Sequence, residues 1–175
     1  MFNRLSAAAV VWGLAMGAST GAFAQDSSNR VSTETDWSIF VAEDPAQCWI
    51  VSAPKQVRNV RDGQEVAARR GDIRLYVSYW ADGGGKGEVS LTGGYPYREG
   101  SPVTVTVGSD SFQFVSSGED AWAAPGDDAR VIAAMRRGAQ AVVVGVSGRG
   151  TRTEDTFSLL GFTAAVEDAE TRCAG

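Results

Sequence analysis

The sequence predicts an all-β domain of the sandwich or barrel type, and three observations carry that prediction. Short stretches alternate apolar and polar residues with the two-residue period of a half-buried strand. Turn signals rich in glycine and proline separate them at short intervals. One segment alone, near residues 127–137, carries convincing helical spacing together with matching end signals.

The elements follow in chain order. Asp26–Thr35 is polar and rich in Ser and Thr, and reads as a loose arm. Order is expected to start at Asp36-Trp37, where Trp37, Ile39 and Val41 alternate with Ser38, Phe40 and Ala42. Gln47–Ala53 is a second strand, ended by Pro54. Asp72–Trp80 is a third, with Ile73, Leu75, Val77 and Tyr79 on one face. Glu88–Leu91 is a short fourth. Pro102–Val107 and Ser111–Val115 flank Gly108-Ser109-Asp110 and read as a hairpin. Asp127 or Asp128 is placed to cap the helix, Val131, Ile132 and Met135 give it an apolar stripe, and Arg136-Arg137-Gly138 closes it. Ala139–Ser147 is an apolar run expected to lie centrally, paired with Thr153–Leu159 across Gly148-Arg149-Gly150. Phe162–Asp168 has the pattern of a short helical turn.

The first residues read as an export signal. Arg4 marks a short charged region, Ala7–Ala18 is an uncharged apolar run too short to span a bilayer, and Ala22-Phe23-Ala24 supplies small residues for a peptidase. The expected organisation is therefore a signal over 1–24, an arm over 25–35 and one domain over 36–175. The expected location is the periplasm or the exterior of a bacterial cell. A product beginning at Gln25 has 151 residues and a net charge of −6. That acidity argues against nucleic acid as a partner, and no later run approaches membrane-spanning length. Cys48 and Cys173 permit one connectivity, and an oxidising compartment favours a disulfide between them. Closing a loop of about 126 residues stabilises by at most about 5 kcal/mol.

The chain contains no histidine. This removes Ser-His-Asp and Cys-His catalysis and the usual zinc sites. Ser52-Ala53-Pro54-Lys55 has the spacing of an S-x-x-K motif, but Pro54 forbids the helix that motif needs. Gly83–Gly87 lacks the spacing of a phosphate loop, and Gly145–Arg149 misses the last glycine of a nucleophile elbow. The acid pairs Glu119-Asp120, Asp127-Asp128 and Glu154-Asp155 fit solvated loops and caps. No catalytic residue, metal ligand or cofactor is assigned. Two segments stand out. Ser147–Asp155 crowds Arg149, Arg152 and two acids into a turn between apolar strands, where an arginine either pins the hairpin, by pairing with Asp155 or bonding carbonyls, or contacts a ligand. Gly93–Tyr97 places Tyr95 and Tyr97 beside Gly and Pro, either as a sticky loop or as rings covering one end of the core.

Four stretches in order give the chain a resemblance to the invasion associated locus B family of exported bacterial proteins. They are Asp36-Trp37 with Cys48–Ser52; Glu88–Ser90 leading into Gly94–Tyr97; Met135–Gly138; and Ser147–Thr151 with Asp155, Phe157–Leu159 and Gly161–Ala165. Cys173 sits where such proteins end. The resemblance implies an immunoglobulin-like β-sandwich, export, and no known catalytic activity. It links some relatives to host-cell entry, although similar proteins occur in free-living bacteria. The expected function is binding of a protein or envelope partner, with Tyr95, Tyr97, Arg149 and Arg152 as the candidate contact residues. The alternatives are an envelope-stress or scaffold component, and a glycan hydrolase working through two carboxylates.

Overall fold

The computed structural model describes residues 29–44, 46–81 and 86–173. The expected export signal, the start of the expected arm and Gly83–Gly85 lie outside the described residues. Twelve strands form one antiparallel sheet: β1 (Arg30–Glu34), β2 (Trp37–Glu43), β3 (Ala46–Ser52), β4 (Gln56–Arg61), β5 (Gln64–Glu65), β6 (Arg74–Trp80), β7 (Glu88–Thr92), β8 (Val103–Val107), β9 (Asp110–Ser117), β10 (Asp120–Ala123), β11 (Gln140–Val146) and β12 (Arg152–Ser158). Among the described residues the sheet is joined by two helices, α1 (Asp128–Arg137) and α2 (Phe162–Cys173). The order across the sheet is β1-β2-β3-β6-β7-β10-β9-β8-β11-β12-β4-β5.

Alternation decides which face of each strand is buried. Trp37 and Ile39 of β2, Cys48 and Ile50 of β3, Leu75, Val77 and Tyr79 of β6, and Val103, Val105 and Val107 of β8 all point to one shared core. The sheet folds over on itself. Trp37 Nε1 donates to the Ser158 carbonyl at 3.1 Å, although seven strands lie between β2 and β12 in the sheet order. The architecture is all-β and sandwich-like, as the periodicity predicts.

Four differences from the sequence reading have physical reasons. Arg30–Glu34 is a strand rather than a loose arm, because its backbone pairs with β2 and needs little from its polar side chains. β4 (QVRNVR) is equally polar, and its antiparallel pairing to β12 takes the place of an apolar face. The second helix runs on to Cys173, well past the expected turn. Phe162, Ala165, Val166, Ala169 and Cys173 form its buried stripe, and small alanines had muted that signal. At α1, neither aspartate caps through its side chain as expected. Asp127 makes no such bond and instead pairs with Arg130 at 2.7 Å, while Asp128 Oδ1 accepts from the Val89 amide at 2.8 Å.

Cys48 and Cys173 are joined in a disulfide over a separation of 125 residues. It ties the end of α2 to the inner face of β3. The edge contact of Trp37 with Phe162, with ring centres 4.9 Å apart, anchors the start of the same helix.

Candidate functional site

The segment Gly93–Arg98 leaves β7 and crosses one end of the folded sheet. The Gly93 amide bonds the Glu119 carbonyl at 2.9 Å and the Tyr97 amide bonds Gly118 at 2.8 Å. Tyr97 then bridges Ser147, and the Arg98 amide reaches the Val146 carbonyl at 2.8 Å. This crossing needs glycine on both sides. Gly94 has φ +68°, and a Cβ there would lie 2.6 Å from the Gly71 carbonyl oxygen. A Cβ on Gly145 would meet the Tyr97 ring at 2.6 Å.

Opposite this crossing lies the loop 66–73. The Gly71 amide donates to the Gly94 carbonyl at 2.8 Å. Arg70 then inserts its side chain, which is 5% exposed. Its guanidinium donates from Nη1 and Nη2 to the two oxygens of Asp155, at 2.6 and 2.5 Å. Nε and Nη2 also donate to the Gly93 carbonyl, at 2.9 and 2.7 Å. The same guanidinium sits 4.9 Å from the centre of the Tyr95 ring. Burial pushes the Asp155 carboxyl above the ordinary aspartate value, while the Arg70 hydrogen bonds pull it back down.

The pairing of Asp155 with Arg149 or Arg152, one of the alternatives the sequence left open, therefore does not form. Arg152 and Asp155 are three positions apart on one strand and point to opposite faces. Arg152 lies on the outer face with Glu154, at 3.0 Å. Tyr97 is 9% exposed and Tyr95 half-buried, so both rings cover one end of the core, meeting edge to face at 4.9 Å. Burial pushes both phenols up. Tyr95 Oη and Thr153 Oγ1 share a hydrogen bond of 2.5 Å.

Above these groups opens a cleft of about 660 Å³. Tyr95, Pro96, Ala67 and Ala68 supply apolar surface, and Ser147, Thr151 and Thr153 supply hydroxyls. Arg61, Arg69 and Arg149 also line it, with one carboxylate, Glu119. Of the four candidate contact residues, the structure brings together Tyr95 and Arg149, sets Tyr97 beneath them and leaves Arg152 on the outer face. Sequence reasoning missed Arg70, Arg69, Arg61 and Asn59. The one available signal was Asp155 itself, on the inward register of Thr153 and Phe157, because a buried acid demands a cationic partner.

A second recess, of about 410 Å³, lies on the outer face of β3, β6, β7 and β10, among Trp49, Tyr76 and Trp122. Phe40 stacks on Trp49 beside it, with ring centres 5.3 Å apart.

Comparison with known proteins places these features. No curated protein matches the chain. The crystal structure of invasion associated protein B from Bartonella henselae is similar, with a TM-score of 0.54 at 19% identity. The similarity covers 80% of this chain and 95% of that one, and it shows a shared fold. The family described as Invasion associated locus B (IalB) protein matches residues 37–170. That span holds the arginine-bridged crossing and the cleft above it, and the chain belongs to the invasion associated locus B family.

Proposed function

We propose that this chain is an exported, non-catalytic protein that binds a protein or envelope partner, and that the cleft beside Tyr95 is its docking face. One observation carries the reading. Arg69 and Arg149 line the cleft and, like Arg61 beside them, have no acidic partner among the described residues, while Arg58, Arg70, Arg74, Arg130, Arg136, Arg137, Arg152 and Arg172 each have one. Guanidinium groups that line a recess and are free of internal partners are available for recognition of a ligand. Two of the stretches that carry the family resemblance, Gly94–Tyr97 and Ser147–Thr151, meet at this cleft.

The non-catalytic reading is supported by the cleft's acids. Glu119 is the single carboxylate among the described residues that line it, and a glycan hydrolase of the ordinary kind needs two. Export is supported by the apolar leader and by the disulfide. No helix among the described residues is long and apolar enough to cross a membrane.

The test is cross-linking in the bacterial envelope with single variants. Tyr95→Ala and Arg149→Ala should reduce capture of one partner, and Arg152→Ala should not. Equal capture by all three variants would exclude the cleft as the docking face.

A further inference from the structure

We propose that the cleft takes an oxyanion: the group it recognises is a carboxylate or phosphate on a ligand that also carries a hydroxyl or N–H donor. This rests on the reading of the cleft as a docking face and adds the chemistry of what docks.

Charge is the first argument. The whole chain has a net charge of −5, yet the cleft sets Arg61, Arg69 and Arg149 against one carboxylate, Glu119. A recess of the opposite sign to its protein focuses anions, and low-dielectric walls strengthen that field. Arg70 adds nothing to this charge, because Asp155 neutralises it.

Orientation is the second. Arg61 donates from Nε and Nη2 to Thr151 Oγ1, at 3.1 and 2.6 Å. This fixes the plane of its guanidinium and leaves its other donors free, since the group carries five. Arg69 and Arg149 keep their whole forks available. Guanidinium forks match the geometry of carboxylate and phosphate oxygens.

The third argument is an unsatisfied group. Asn59 lines the cleft from β4, is 9% exposed, and faces Thr153 across the strand pair. Its Oδ1 is buried and has no hydrogen-bond partner. A buried acceptor without a donor is unfavourable, and such groups in a native fold call for a reason. Turning the Asn59 amide toward the cleft would bring this oxygen to a donor on the ligand. The volume suits a small ligand or the end of a larger chain, and the Tyr95 ring gives it an apolar wall.

Nitrogen-15 NMR titration of the disulfide-bonded protein tests this with inorganic phosphate, D-glucuronate and, as the neutral comparison, glucose. Saturable shifts are expected at the amides of Gly94, Gly148, Thr151 and Thr153 with phosphate, glucuronate or both, and not with glucose. Phosphate alone assigns a phosphoryl group, and glucuronate alone a carboxylate. Arg69→Ala and Arg149→Ala should each weaken binding by about tenfold or more, and Arg152→Ala should leave it unchanged. Glucose shifting the same amides, no saturable shift with either anion, or binding unaffected by Arg69→Ala and Arg149→Ala would overturn the proposal. If the anions fail while Arg149→Ala still abolishes envelope capture, the ligand class is wrong and the docking face stands. If the anions bind but capture ignores Arg149→Ala, the anion site stands and the docking face falls.

Discussion

Arg70 and Asp155 lie 85 residues apart in sequence and meet through two hydrogen bonds of 2.6 and 2.5 Å inside the fold. Because Arg70 also holds the Gly93 carbonyl, one guanidinium clamps the loop 66–73, the Gly93–Arg98 crossing and β12 into one floor. Removing one partner of a buried pair strands the other. Arg70→Ala should therefore destabilise the protein by about 3–5 kcal/mol in urea unfolding at neutral pH. The loss should shrink in acid, where Asp155 protonates and no longer needs a counter-charge. A loss under about 1 kcal/mol at neutral pH would mean that the pair is not a structural clamp.

The disulfide should act as a staple for α2. Cys48 is fully buried and Cys173 nearly so, so alanine replaces both without adding polarity. The double variant should lose about 2–5 kcal/mol, and added reductant should lower the stability of the wild type alone. Equal sensitivity of both proteins to reductant would contradict the assignment.

The crossing is sterically tight at Gly145. Gly145→Ala should cost about 1–3 kcal/mol through collision with the Tyr97 ring. Tyr97→Ala should cost about 3 kcal/mol or more, as expected for a large buried ring. Arg149→Ala, at an exposed turn, should change stability by under about 0.5 kcal/mol. Thermal unfolding of the three variants would separate packing residues from surface ones.

Acid stability carries a separate signature at Asp36. Its hydrogen bond with Lys55, a second with Ser158 and the Lys55 charge hold its carboxyl below the ordinary value of 3.8. A lowered folded-state pKa gives stabilisation that is present above 3.8 and is lost as pH falls through the lowered value. Asp155 contributes the opposite slope, because its raised pKa makes ionisation unfavourable in the folded state. Comparing wild type with Lys55→Met isolates the Asp36 contribution. The variant should show a flatter fall in stability below about pH 4.

Much of the fold was legible because apolar alternation is a local signal. The strands bearing Trp37 and Leu75 lie where the two-residue period puts them, those bearing Cys48, Val105 and Phe112 lie between the expected turn signals, and that bearing Val143 lies in the expected apolar run. β1 and β4 were not legible, because they are held by backbone pairing rather than by apolar faces. The cleft was half legible. Arg149 and Tyr95 stand out by composition, and they do meet there. Arg70 lies in a loop without periodicity, and its partner is chosen by tertiary packing that no spacing rule encodes. Arg152 looked equivalent to Arg149, yet strand alternation turns it to the outer face, where Glu154 holds it.

The central claim is that the arginine-lined cleft, and not the aromatic outer face, meets the partner. A photo-reactive residue placed at Ala68, which is exposed and lines the cleft, tests it against one placed at Val115, which is 60% exposed and pairs with Trp122 beside the second recess. The account predicts a discrete adduct in the bacterial envelope from position 68, lost when Arg149 is also replaced by Ala, and none from position 115. An adduct from position 115 with none from position 68 would contradict it.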